Sequence, residues 1–160
     1  MYSYRRNVNR KNLAENLFSL PLCVIMEWVM DMEENHVGAI IDCPQDVELS
    51  QYGKMVDNAI QNIPSAYPAL SLEGYIIMPN HIHLLVRVCA DEYGRPLVAR
   101  TMSRVIKQLK GIVSKQAGLG IWQKSFHDHI IRNREDYEEH LRYIYENPLR
   151  WRYDELYTDE

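Results

Sequence analysis

Apolar residues recur along this chain with two distinct periods. From Ser50 to Ile63 the repeat is helical: Tyr52, Met55, Val56, Ile60 and Ile63 share one side, Ser50 suits the N-cap and Pro64 ends the run. Leu70 to Met78 and His81 to Val88 are β-rich runs joined by Pro79-Asn80, which predicts an antiparallel hairpin. Val98, Met102, Val105, Ile106, Leu109, Ile112 and Val113 return to the helical period. At about 100° per residue they fill an arc of roughly 120°. Pro96 suits the first turn of that helix, and Gly118 and Gly120 suit its exit. A short strand over Phe126 to Arg132 follows, then a helix from Glu135 to Glu146 stopped by Pro148. Towards the N-terminus, Val37 to Ile41 is a short strand, while Leu13 to Met32 is apolar without a period and takes no assignment.

Strands and helices mixed in this order, around a central hairpin, predict an α+β fold: an antiparallel sheet with helices packed on one face. The 160 residues fit one domain, and 46% hydrophobic with 25% charged residues is ordinary globular composition. The longest apolar run, around Leu20 to Met30, is interrupted by Pro21 and Glu27 and is too short to span a bilayer. No signal peptide is read at the start. Cys23, Cys43 and Cys89 are odd in number and widely spaced, against a disulfide framework or zinc knuckle, so a reducing cytoplasm is the expected compartment.

Charge changes the picture by its placement. The net charge of −4 argues against bulk electrostatic binding of nucleic acid. Yet Gly94 to His127 contains no acid, while Arg95, Arg100, Arg104, Lys107, Lys110, Lys115 and Lys124 give it seven positive charges. Acids flank that block, nine between Arg134 and Glu160 and seven between Glu27 and Glu48. Arg100, Arg104, Lys107, Lys110 and Lys115 lie opposite the apolar arc of their helix. A solvated helix face is the plain alternative; the lack of interleaved acids favours a surface that tracks phosphates.

Three groups of residues carry candidate chemistry. In MPNHIHLLV, over Met78 to Val86, His81 and His83 share a strand face about 6 to 7 Å apart and can converge on one divalent cation. In REDYEEHLRYIYENP, over Arg134 to Pro148, Tyr137, Leu141, Ile144 and Tyr145 form the buried stripe. Asp136, His140, Tyr143 and Asn147 form an adjacent one, with a phenol one turn from a carboxamide. His127 and His129 are a rival metal pair on one strand face, although one packed and one exposed histidine is the preferred reading.

Together the runs GYIIMPNHIHLLV and IWQKSFHDHIIRNREDYEEHLRYIYENP resemble the single-tyrosine HUH transposases, most closely the REP-associated tyrosine transposases. The resemblance spans about Val37 to Trp151, within a single domain over 1–160, and leaves 1–36 as a divergent segment. It implies a ferredoxin-like HUH endonuclease fold, with His81 and His83 as ligands of a catalytic Mg²⁺ or Mn²⁺, Asn147 as the third ligand and Tyr143 as the nucleophile. The implied activity is transposase-type cleavage and rejoining of single-stranded DNA beside hairpins, through a 5′-phosphotyrosine and without ATP. Arg100, Arg104, Lys107, Lys110 and Lys115 would then contact the DNA backbone. The expected setting is the cytoplasm, at the nucleoid, with a homodimer among the assemblies such relatives use. A hairpin-binding protein of the same fold that does not cleave is the first alternative. A metal-dependent hydrolase that uses the histidines without Tyr143 is the second.

In such relatives a first strand follows the basic start. The segment Leu13 to Asn35, with Glu27, Asp31, Glu33 and Glu34, does not match it, which bears on edge-strand pairing and hairpin binding.

Overall fold

The computed structural model describes residues 20–27, 39–43, 46–88 and 98–150. For residues 20–27, 39–43, 46–48, 98–101, 145 and 147–150 it describes the backbone alone. The elements in chain order are β1 (Leu20–Glu27), β2 (Ala39–Cys43), β3 (Asp46–Leu49), α1 (Gln51–Gln61), α2 (Ile63–Ala66), β4 (Leu70–Ile77), β5 (His81–Val88), α3 (Val98–Ala117), β6 (His127–Ile130) and α4 (Arg134–Arg150). Four strands form an antiparallel sheet in the order β4-β5-β1-β6, and β2 pairs with β3 in a separate ribbon. This is the α+β, antiparallel-sheet class that the pattern predicts.

The segment left without an element supplies an inner strand of that sheet. β1 pairs with β5 over Leu20↔Val88 to Glu27↔His81, and with β6 over Leu22↔Ile130 to Ile25↔His127. The mismatch at Leu13 to Asn35 is thus one of sequence pattern: a strand lies there, and β4 and β6 are the edges. The predicted strand over Val37 to Ile41 overlaps β2; Val37 and Gly38 lie outside the described residues. The basic start, Pro96 and the acidic residues 31–34 lie outside the described residues.

Helices cover both faces of the sheet, where the pattern predicts them on one. On one, Ile82, Leu84, Val86 and Val88 of β5 meet Val56 and Ile60 of α1 and Met102, Val105, Ile106, Leu109 and Val113 of α3. Ser50 caps α1 as expected, its Oγ accepting from the Gly53 N–H at 3.0 Å. Asn62 interrupts the helix, and Pro64 sits in the first turn of α2 instead of ending α1. Ile112, at the margin of the predicted apolar arc, is 41% exposed, so the buried stripe of α3 is narrower than its sequence implies.

On the opposite face α4 packs Tyr137, Leu141 and Ile144 over Ile76, Met78, Leu85 and Ile131. α4 runs through Pro148 to Arg150. A proline there forfeits one hydrogen bond near the helix end without forcing an exit.

A buried polar clamp fastens α4 to the sheet. Glu73 of β4, 3% exposed, accepts from Arg87 Nε of β5 at 3.1 Å, from Ser71 Oγ at 3.0 Å and from the Tyr137 hydroxyl of α4 at 3.0 Å. The Arg87 guanidinium also lies 5.8 Å from the centre of the Tyr137 ring. Burial, then the adjacent Glu73 charge and its hydrogen bond, push the Tyr137 phenol up to about 12.

Two predictions follow from this packing. Leu84, fully buried, should cost about 3 kcal/mol when cut to alanine, whereas Ile112→Ala should stay within about 0.5 kcal/mol, both read from urea midpoints. An unfolded tyrosine loses its proton near pH 10 while folded Tyr137 holds it to about 12, so its contribution is complete below pH 10 and lost as pH rises through that interval. Wild type should therefore lose up to about 1.4 kcal/mol per pH unit there through this group. Urea titrations of Tyr137→Phe should show that much shallower a decline; parallel pH profiles would contradict the assignment.

Candidate active site

The two sides of β5 are chemically unlike. Alternation turns Ile82, Leu84 and Val86 towards α1 and α3, and turns His81, His83, Leu85 and Arg87 towards α4. The Pro79-Asn80 turn makes His81 the first residue of the strand, and the Met78 N–H donates to the His81 carbonyl at 2.8 Å. His81 is fully buried and His83 is 4% exposed. Their ring centroids are 4.8 Å apart, at 83°. His81 Nδ1 lies 2.7 Å from Asn80 Oδ1. With an amide oxygen accepting there, the ring proton sits on Nδ1 and the lone pair on Nε2, the tautomer suited to ligating a cation through Nε2.

α4 brings Tyr143 to this pair. Its ring centroid is 4.7 Å from that of His83, at 67°, and the residue remains 42% exposed. Tyr137, two turns earlier, is buried in the clamp as its stripe predicts. Asn147 lies on the α4 backbone one turn beyond Tyr143; its side chain, like that of Tyr145, falls outside the described residues. The residues present fit a divalent cation by donor chemistry: two buried imidazoles side by side, one with its Nδ1 held by a neighbouring amide oxygen.

The rival pair is arranged differently from its preferred reading. His127 and His129 are both exposed. His129 turns instead to α4, where it meets Asp136 at 2.9 Å, and His140 meets the same carboxylate at 3.0 Å. The hydrogen bond from His129 is the main influence holding the Asp136 carboxyl below the usual carboxylate range.

The basic face of α3 lies across the sheet from these residues, because α3 packs on the Ile82–Leu84–Val86 side. Arg104, Lys107 and Lys115 are exposed. Lys110 reaches sideways: its Nζ donates to the carbonyls of Gln123 at 2.9 Å and Ser125 at 2.6 Å, and sits 5.8 Å from the Trp122 ring centre. The Arg100 side chain lies outside the described residues. Sequence reasoning missed Asn80, Glu73 and Arg87. The one available signal was an acid in the β4 run that the hairpin sets near an arginine.

Comparison with known proteins agrees with the fold and with the family resemblance. No protein-family profile matches the chain. A protein of unassigned function from Haemophilus influenzae is 26% identical over 178 aligned positions, covering 98% of this chain and 94% of that protein. A second protein from that organism, provisionally named a REP-associated tyrosine transposase, is 33% identical over 91 positions, 52% of each chain. The REP-associated tyrosine transposase of Escherichia coli K12 is 29% identical over 102 positions, 63% of this chain and 56% of the relative. The match thus spans little more than half the length of the named relatives. A solved REP-associated tyrosine transposase, bound to a REP hairpin, superposes with a TM-score of 0.63 at 20% identity, covering 94% of this chain and 74% of that one. The chain is therefore similar in sequence, over half to two thirds of its length, to REP-associated tyrosine transposases, and it shares the fold of a solved one.

Proposed function

We propose that this protein is a metal-dependent, single-tyrosine transposase that cleaves and rejoins single-stranded DNA beside hairpins. The observation that carries the reading is the juxtaposition on one sheet face of His81, His83 and Tyr143, with the Tyr143 ring 4.7 Å from His83. The whole chain, 1–160, is read as one transposase-like domain, with β1 of the 1–36 segment inside its sheet.

His81 and His83, with Asn147 one helical turn beyond Tyr143, would hold Mg²⁺ or Mn²⁺. Such a cation, when bound, neutralises charge on the scissile phosphate as it reacts. The Tyr143 phenol oxygen attacks phosphorus, and the bond from phosphorus to the 3′ oxygen breaks. The phenol gives up its proton and the departing 3′ oxygen takes one up, leaving a 5′-phosphotyrosine and a free 3′ hydroxyl. Attack by a 3′ hydroxyl on that linkage reverses the balance, so joining consumes no ATP. Exposure separates the tyrosines: Tyr143 is within reach of a strand, while Tyr137 is buried and holds its proton to about 12. The exposed Arg104, Lys107 and Lys115 would grip the flanking backbone from the far side of the sheet, with Arg100 in the same row.

With Mg²⁺ or Mn²⁺ and labelled hairpin-bearing oligonucleotides from around its own gene, the protein should give a protein-linked DNA band on a denaturing gel. That band should vanish in Tyr143→Phe and in His83→Ala. Hairpin binding with no band under either metal would support the recognition-only alternative, and a band persisting in Tyr143→Phe would remove Tyr143 from the nucleophile's role. Replacing Arg104, Lys107 and Lys115 together by alanine should weaken single-strand binding about tenfold or more. It should also make the dependence of log K on log[salt] shallower by about 2.

A further inference from the structure

α4 presents a second set of ligating side chains, one turn before Tyr143 and sharing no residue with the His81–His83 pair. Asp136 and His140 are four residues apart, so the helix stacks them on one face, the spacing by which a helix offers two ligands to one cation. β6 contributes the third group. His129 Nε2 lies 2.9 Å and 3.1 Å from the two Asp136 carboxylate oxygens, and His140 Nδ1 lies 3.0 Å from Oδ1. The imidazoles stack almost parallel, centroids 4.9 Å apart and planes at 6°. One donor atom from each of the three residues lies within 4.8 Å of the others.

The arrangement is oriented before any cation arrives. The Arg132 backbone N–H reaches Asp136 Oδ2 at 3.4 Å, and Asn133 Oδ1 accepts from the Asp136 backbone N–H at 2.8 Å. His140 Nδ1 also lies 2.9 Å from the Asp136 carbonyl. Such outer contacts fix ligand direction. The side chains are 54%, 21% and 27% exposed for His129, Asp136 and His140, so a hydrated ion can enter from solvent and keep water in its remaining positions. As an ion pair alone, so exposed a contact contributes little.

We propose that His129, Asp136 and His140 form a separate surface site for a borderline divalent transition-metal ion such as Zn²⁺ or Co²⁺, tying β6 to the first half of α4. Two imidazole nitrogens and one carboxylate oxygen, with open water positions, suit that class of cation. On binding, the metal takes the place of the imidazole contacts with the Asp136 carboxylate, and any proton on a ligating nitrogen passes to the other ring nitrogen or to solvent.

Co²⁺ titration of the chelator-treated full chain, followed by visible absorption and equilibrium dialysis, tests this. Wild type should bind one Co²⁺ per chain that His129→Ala and Asp136→Asn bind at least tenfold more weakly, with far-UV circular dichroism unchanged. That ion should persist in His83→Gln, which keeps its fate separate from that of the first site. Equal Co²⁺ stoichiometry and affinity in wild type and in both folded variants would overturn the proposal. So would an ion lost in His83→Gln and retained in His129→Ala.

Discussion

The two-residue repeat of β5 is the constraint from which the rest of this structure is built. A strand can bury Ile82, Leu84 and Val86 on one side only by turning His81, His83, Leu85 and Arg87 to the other. A slip of one residue would send two histidines into the α1–α3 core and three aliphatic side chains towards α4. Hydrophobic burial on the first face, at about 25 cal/mol per Å² of apolar surface, therefore sets the imidazole positions on the second. Stability and candidate chemistry share one strand, and the core holds the register that the site needs.

α4 must then be seated on that second face, where apolar contact is modest: Tyr137, Leu141 and Ile144 against a few sheet residues. Such a small patch leaves a helix free to slide or roll, since dispersion and burial have little direction. The Glu73–Arg87–Tyr137 clamp is directional. Burying an ion pair is a poor way to gain stability, because desolvation offsets most of the attraction. Its effect is to penalise every seating of α4 that leaves the carboxylate without its phenol and guanidinium. Tyr143 lies six residues beyond Tyr137 on the same rigid element, so the clamp governs how the Tyr143 ring meets His83.

Much of this was legible because its signals are local. The hairpin, the Ser50 cap, the α3 stripe and the HUH and YIYENP motifs need only neighbours along the chain. β1 was not, because Leu22 to Met26 is an unbroken apolar run, and a run without alternation does not tell a strand from a helix. Its identity rests on pairing with β5 and β6, which is long-range. Ile112 sits on the predicted arc, but the width of a buried stripe depends on how closely the partner surface curves around it. The same limit hid the clamp and the His129–Asp136–His140 group. Each joins elements whose closeness no period reveals; of the two β6 histidines, one was expected to be packed, and neither is, His129 turning to α4 instead.

Under the proposed function, the sheet would also separate two kinds of interaction with DNA. The cations of α3 lie beyond one face and Tyr143 beyond the other. A helix is about 10 Å across and packed layers stand about 10 Å apart, so the two surfaces are separated by roughly 20 Å. Surface charges are screened over about 8 Å at physiological ionic strength. Arg104, Lys107 and Lys115 therefore cannot tune a phenol or a phosphate at Tyr143 through their field. Their influence on a strand bound there would have to pass through the strand itself, as a tether that raises its local concentration. Chemistry at the α4 face must draw on nearby groups instead: the two imidazoles, the cation they would hold, and the helix that carries the phenol.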